Sequence, residues 1–270
     1  MKKILLATTM LVGTAGFAAA EVTFAGSAAA GIGRDSGAAF ETYSSADLDV
    51  TFSGASDNGL EFGATFGASA GRSYDFGADP TEAFADEDGT FGMPTVYVSG
   101  SFGKVAFSDD NYDMYDDANA GGDVEYTGTF GAISVGLIAD VDASEFSGKA
   151  DATFSGITLH ADADTFGSYN ASAAYTMGAF TAEVGVNEDS LAYITGTYAA
   201  GAITASATYD TDAAWDVALD YSANGMSAGV TYDDTSAWEV TAGYDLGGGL
   251  SLEAGVNSAD NAFVGAAMSF

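Results

Sequence analysis

The sequence lacks cysteine, has only two prolines and contains few basic residues. Without cysteine, the chain can form no disulfide bond and offers no thiol for catalysis or metal binding. Six Lys and Arg residues stand against 39 Asp and Glu residues, and the formal net charge is −33. A nucleic acid is therefore excluded as a partner, because phosphate binding requires a basic surface. The chain is nevertheless 47% apolar, which separates it from acidic disordered proteins.

The first 20 residues have the pattern of a secretory signal peptide. Lys2 and Lys3 precede an apolar run that extends to Phe17, and three alanines then form a typical cleavage site. The alternative is an anchor helix that stays in the chain, but the run is short for that role. We predict that residues 1–20 are removed on export and that 21–270 form one folded domain. The exported part then has four basic residues and a formal net charge of −35.

Long apolar runs are also absent after the signal peptide, and short alternating segments take their place. In WEVTAGYDL (Trp238–Leu246) the even positions are apolar and the odd positions are polar or small. This alternation indicates a strand with one apolar face. Each segment has roughly 9–11 residues, the length that a tilted strand needs to cross a bilayer. Gly-containing turns and Asp-rich stretches separate the segments in alternation, as in a transmembrane barrel.

The pattern predicts an all-β protein, a closed antiparallel transmembrane β-barrel of 18 strands. A barrel of 16 strands is the alternative. Aromatic residues end many apolar rows, as in the interfacial belts of membrane barrels. A soluble sandwich is the alternative, although it would rarely have so many strands. The last segment ends on Phe270, which resembles the terminal signal of outer-membrane barrels. The predicted strands begin near Val22, Thr42, Leu60, Pro94, Lys104, Val124, Ile133, Ser147, Ile157, Ser168, Phe180, Leu191, Ala202, Ala213, Met226, Ala237, Leu250 and Ala262.

Four stretches follow one another along the chain: EVTFAG, SDNGLEFGATFGAS, VYVSGSFGKVAFSD and GYDLGGGLSLEAGV. In this order they resemble the Rhodobacter-type general porins of alpha-proteobacteria. The resemblance makes 21–270 a porin β-barrel domain and implies a trimeric, water-filled barrel of 16 strands. It also implies a third external loop that folds into the lumen, and calcium bound among acidic groups. The chain departs from the family in its strand number, its short loop Ser108–Asp123 and its lack of arginines on the pore wall of the first two strands.

Carboxylates on the polar faces of the strands are the candidate pore lining. A charge on the lipid face would cost a few kcal/mol, whereas an acidic lumen favours cations. The predicted wall residues are Asp47, Asp49, Glu61, Glu239 and Glu253. The predicted constriction residues in the loop are Asp109, Asp110, Asp113, Asp116 and Asp117. For this loop, a solvated acidic surface is an equal alternative.

Two further predictions concern calcium and assembly. Asp86, Asp88, Asp116 and Asp117 supply the oxygen ligands that calcium prefers, although without the spacing of a complete calcium loop. Small residues dominate the lipid face of the first and last strands, and such faces pack closely within lipid. We expect the contact of a homotrimer there, with the number three implied by the family resemblance. The row comprises Phe24, Gly26, Ala28, Ala30, Ile32, Ala262, Val264 and Ala266.

The sequence thus predicts an outer-membrane porin of a Gram-negative bacterium, with ions and small hydrophilic solutes diffusing through it and cations preferred. We expect no cofactor apart from calcium and no catalysis. The only histidine, His160, is predicted to face the lumen, and no nucleophile motif accompanies it. A substrate-selective channel is the first alternative, followed by a non-conducting adhesin.

Overall fold

The computed structural model describes residues 21–76, 84–87, 89, 91–115, 117–188 and 192–270. Of residues 87, 110, 111 and 117–120, only the backbone is described. The predicted signal peptide, residues 1–20, lies outside the described part. Within that part, no helix is long and apolar enough to cross a membrane.

The described chain is built from antiparallel strands that follow one another in sequence. They are β1 (Glu21–Arg34), β2 (Glu41–Ala55), β3 (Glu61–Tyr74), β4 (Phe84–Glu87), β5 (Thr95–Gly100), β6 (Gly103–Met114), β7 (Asp117–Phe130), β8 (Ile133–Asp140), β9 (Glu145–Phe154), β10 (Ile157–Asp164), β11 (Tyr169–Met177), β12 (Phe180–Asn187), β13 (Ala192–Ala200), β14 (Ile203–Asp210), β15 (Trp215–Ala223), β16 (Met226–Asp233), β17 (Trp238–Gly247), β18 (Leu250–Asn257) and β19 (Ala262–Ser269).

The sheet closes on itself because β1 pairs with both β2 and β19. β4 pairs only with the end of β3, so the barrel proper has 18 strands. The predicted fold and strand number are confirmed, and the 16-strand alternative is wrong. Predicted strand starts lie within two residues of the observed ones except for β7, which begins at Asp117 rather than near Val124.

The two ends of the barrel use different turn chemistry. At one end, here called the turn end, two-residue turns place glycine in the left-handed region, as at Gly178 with φ 64° and Gly201 with φ 60°. At the other, the loop end, Asp210 Oδ1 accepts hydrogen bonds from the backbone N–H groups of Asp212 and Ala214 at 2.9 and 3.0 Å. Asp164 and Asp233 make the same turn. Part of the acidity of the chain therefore serves loop geometry.

Contacts between distant strands identify the inner face. Tyr74 on β3 and Phe263 on β19 lie three strands apart in the sheet, yet their ring centroids are 5.8 Å apart. Side chains so far apart in a curved sheet can meet only on its concave side. The opposite face carries the exposed large hydrophobic side chains, such as Leu219 and Val184, which are 52% and 54% exposed. An apolar outer face excludes the soluble sandwich and fits contact with lipid.

β3 extends well beyond its pairing with β5, which ends at Thr65. It continues to Tyr74, and β4 pairs with its last four residues. Gly71 interrupts the alternation with φ 108°, a conformation that favours glycine. Phe62 earlier in β3 faces outward, whereas Tyr74 beyond Gly71 packs inside against Tyr43 at 5.6 Å. The change of face at Gly71 turns the Tyr74 side chain toward the lumen.

Candidate functional site: the lumen and its hairpin

Toward the loop end, β6 and β7 leave the barrel wall. β7 pairs with β8 only from Val124 onward, opposite Ala139. Beyond that level β6 and β7 pair with each other alone, and their register shifts between Phe107 and Tyr112. We call the segment 108–123 the lumen hairpin. It corresponds to the loop predicted at Ser108–Asp123, but most of it is strand rather than irregular loop.

The tip of the lumen hairpin is docked on the inner face of β8 and β9. Met114 is only 2% exposed, and the Tyr115 N–H donates a hydrogen bond of 3.1 Å to Ser147 Oγ. Lys149 Nζ lies 4.3 Å from the centre of the Tyr115 ring, a cation–π contact. The Tyr115 hydroxyl lies over Gly136, where any side chain would collide with it. The hairpin therefore occupies part of the lumen.

Hydroxyl groups pair across neighbouring strands on the inner face. These contacts are Thr51–Thr65 at 2.9 Å, Thr153–Thr158 at 3.2 Å, Thr176–Thr181 at 2.9 Å and Thr195–Thr208 at 3.1 Å. Each hydroxyl can both donate and accept a hydrogen bond. The wall between the charged positions is therefore neutral and polar, which suits water and hydrophilic solutes.

The predicted wall carboxylates lie on the inner face but do not form one ring. Asp47 and Asp49 are on β2, and Asp47 Oδ2 accepts a hydrogen bond of 3.3 Å from Ser27. Glu61 is at the start of β3, at the turn end. Glu239 and Glu253 are on β17 and β18, and Glu253 accepts a hydrogen bond of 2.9 Å from Ser251.

The predicted constriction residues are only partly described. Asp109 and Asp113 are exposed on the lumen hairpin. Asp110 and Asp117 lie in β6 and β7, with only their backbone described, and Asp116 lies outside the described residues. Sequence reasoning missed the docking residues Met114 and Ser147. The only available signal was the apolar and aromatic pair Met114-Tyr115 within an acidic segment.

Basic side chains are confined to one part of the barrel. Arg72 pairs with Glu41 at 2.6 Å, and Arg34 forms an ion pair with Asp260. Lys104 and Lys149, the lysines of the described part, lie on the inner face of β6 and β9. After His160 the sequence contains no Lys, Arg or His at all. Strands β11 to β19 therefore contribute acidic side chains to the wall but no basic ones.

The loop end also contains a partly buried carboxyl group next to these ion pairs. One carboxylate oxygen of Asp35, just after β1, is buried, and no hydrogen-bond partner for it lies within the described part of the chain. Burial raises the pKa of the Asp35 carboxyl, Glu41 raises it further, and Arg72 lowers it. Arg72 thus stabilises three carboxylates at this rim of the barrel, those of Glu41, Asp86 and Asp35.

A family model described as Gram-negative porin matches residues 7–263. The chain belongs to this family. Among curated proteins, no sequence matches it. Membership of the porin family places this chain in the outer membrane as a channel and points away from an enzyme.

Solved porin structures share the fold of this porin. A triple mutant of the Rhodopseudomonas blastica porin is 15% identical, with a TM-score of 0.55, and the match covers 92% of this chain and 100% of that one. A porin structure refined at 1.8 Å is 22% identical, with a TM-score of 0.54 and coverage of 93% and 100%. At these identities, the likenesses show a shared barrel fold.

The single histidine of the porin is held between two carboxylates on the inner wall. His160 Nδ1 lies 2.6 Å from Asp151 Oδ1, and His160 Nε2 contacts Asp162 Oδ2. Asp162 is 8% exposed. Both ring nitrogens are engaged, so neither is free to activate a nucleophile. The arrangement fits an ion pair of the wall.

Of the four calcium candidates, only Asp86 has a described side chain. Asp86 is in β4, where its Oδ1 lies 3.7 Å from Arg72 Nε. Asp88 and Asp116 lie outside the described residues, and only the backbone of Asp117 is described. Over the described ranges, no three His, Asp or Glu side chains are grouped to hold a metal ion. Calcium binding stays a prediction.

Proposed function

We propose that this porin is a general diffusion channel for ions and small hydrophilic solutes, with a preference for cations. The observation that supports it is the inner wall of β11–β19, which is acidic and contains no basic residue. A lumen lined by one sign of charge concentrates the opposite ion. The loop end would face the outside and the turn end the periplasm, as in outer-membrane barrels. Residues 1–20 would be removed, leaving Glu21 as the first residue.

Cation preference is tested by the reversal potential of the purified porin in a planar bilayer under a KCl gradient. We expect the sign of a cation-selective channel, and a weaker preference at high salt because salt screens the wall charges. Asp47→Asn, Asp49→Asn and Asp113→Asn together should lower the selectivity. Asp212→Asn, in an exposed loop at the rim, is the control and should leave the cation selectivity unchanged. An anion-selective reversal potential would refute the proposal.

We further propose that the porin is a homotrimer whose contact is the outer face of β1 and β19. Alanine and glycine predominate on this face, and its outward pairs include Ala30 with Ala266 and Ile32 with Val264. Small side chains allow close approach of two walls, which drives association in lipid.

The contact is tested by placing tryptophan on this face and following the oligomer on native gels. Ala28→Trp with Ala30→Trp should yield a folded monomer, because two indoles would hold the walls apart. Ala161→Trp, on β10 at the opposite side of the barrel, is the control and should leave the oligomer intact. If both variants run as the parent oligomer, the interface lies elsewhere.

A further inference from the structure

A cavity of about 440 Å³ opens on the inner wall of β15–β19. Its lumen-facing hydroxyl groups come from Ser222, Ser227, Thr241 and Ser251, and its carboxylates from Asp245 and Glu253. Phe263 supplies an aromatic ring at one side. The volume lies within the range of small-molecule sites, and apolar and polar groups converge in it as they do in such sites.

Inward-facing glycines leave room for neighbouring side chains on this part of the wall. Gly229, Gly243 and Gly255 lie on three adjacent strands, and polar atoms lie over the first two. Thr241 Oγ1 and Asp220 Oδ1 lie 2.9 and 3.0 Å from where a Cβ on Gly229 would be. Ser227 Oγ lies 2.5 Å from the equivalent point at Gly243. The glycines thus allow hydroxyl and carboxylate oxygens to gather at the surface of the wall.

Among the described residues, no basic side chain forms an ion pair with the carboxylates of the cavity. Asp245 and Glu253 are diagonal neighbours on β17 and β18, and the segment from 161 to the end of the chain contains no Lys, Arg or His. Asp245 Oδ1 accepts a hydrogen bond of 2.7 Å from the Gly247 N–H, and Glu253 Oε1 accepts one of 2.9 Å from Ser251. Each carboxylate has further lone pairs for a ligand, and its charge favours a cation.

The aromatic side of the cavity is held in place by other rings. Phe263 lies 4.8 Å from Phe76 and 5.8 Å from Tyr74, centroid to centroid. Phe263 and Phe76 also lie over Gly255, where no side chain displaces them. A ring fixed in this way offers an apolar face to the carbon skeleton of a ligand at little entropic cost.

We propose that this cavity binds small polyhydroxylated amines of the amino-sugar class on their way through the pore. Asp245 and Glu253 bind the ammonium group, the serine and threonine hydroxyls bind the ligand hydroxyls, and Phe263 contacts its carbon face. The inference deepens the proposed diffusion function, since it assigns a solute class to one stretch of the same lumen.

The test compares glucosamine with glucose, which differ by one ammonium group in place of a hydroxyl. Calorimetry on the detergent-solubilised porin near pH 6, below the usual range of amine pKa values, should show binding of glucosamine at least about tenfold tighter than that of glucose. In bilayers, glucosamine should reversibly reduce the ion current at concentrations where glucose does not. Equal binding of the two sugars, or binding of neither, would overturn the proposal.

Variants locate the binding within the barrel. Glu253→Gln and Asp245→Asn, which keep the side-chain shape, should each weaken glucosamine binding about tenfold. Glu183→Gln, an equal change of charge on β12 outside the cavity, should leave binding unchanged. An equal loss in all three variants would show diffuse attraction and refute the site. Calorimetry does not depend on conduction. A barrel that does not conduct but still binds glucosamine would therefore refute only the diffusion function. A conducting barrel that binds neither sugar would refute only this inference.

Discussion

Removing the lumen hairpin should raise the single-channel conductance several-fold and admit larger sugars. Residues 109–122 can be replaced by Asn-Gly, because Phe107 and Val124 lie opposite each other in the ladder and a two-residue turn suits such a hairpin. The expected gain follows from the position of the tip, which rests against Ser147 and Lys149 inside the barrel. Conductance in planar bilayers and liposome swelling with sugars of graded size measure the effect.

The matched control shortens a loop that lies at the rim of the barrel. Residues 234–237, between β16 and β17, replaced by Asn-Gly should leave the conductance unchanged. Heat-dependent mobility on gels shows whether each variant still forms a closed barrel. An unchanged conductance in a folded variant without the lumen hairpin would place that segment outside the current path.

The barrel strands could be predicted because the bilayer imposes a simple rule on them. In β15, Trp215, Val217 and Leu219 face lipid while Asp216 and Asp220 face water. This alternation is visible in a single sequence, since each strand must be apolar on one side. Two-residue glycine turns then fixed the strand ends, which is why most starts agree with the structure.

The lumen hairpin could not be predicted in the same way, because it lies inside the barrel, away from lipid, and none of its faces must be apolar along its whole length. The stretch DANAGGD at 117–123 has the composition of a turn, yet it is the first half of β7. Its strand conformation comes from pairing with β6, and its position comes from the docking of Tyr115. Both depend on contacts with residues distant in sequence, for which local alternation gives no signal.

The inward aromatic residues were missed for a related reason. Sequence reasoning assigned aromatic residues to the lipid interface, but Tyr43, Tyr74 and Phe263 pack inside the barrel near the seam between β1 and β19. Room for them is made by glycines on neighbouring strands, such as Gly33 under the Tyr74 ring. An aromatic side chain that packs over a glycine of a neighbouring strand can be recognised only when the register of the strands is known.

Substituting the paired glycines of the closing seam should prevent stable closure of the barrel. Gly31 on β1 lies opposite Gly265 on β19, and the Tyr43 hydroxyl covers both. A Cβ on Gly31 would lie 2.6 Å from that hydroxyl and 2.7 Å from the Gly265 Cα, and closer still to the Val264 carbonyl oxygen. Backbone atoms cannot move aside as a flexible side chain can, so the two strands must separate.

Gly31→Val should therefore destabilise the barrel by at least about 1–3 kcal/mol, the usual effect of overpacking. A second change, Tyr43→Phe, removes the hydroxyl but not the backbone collisions, and should restore little of the loss. Urea titration of the refolded porin in detergent micelles, followed by heat-dependent gel mobility, measures the change. Gly196→Ala on β13 is the control, since no atom lies within 4 Å of its Cβ position, and it should behave as the parent. Equal stability of Gly31→Val and the parent would show that the seam tolerates side chains on its inner face, and closure would then depend on backbone pairing alone.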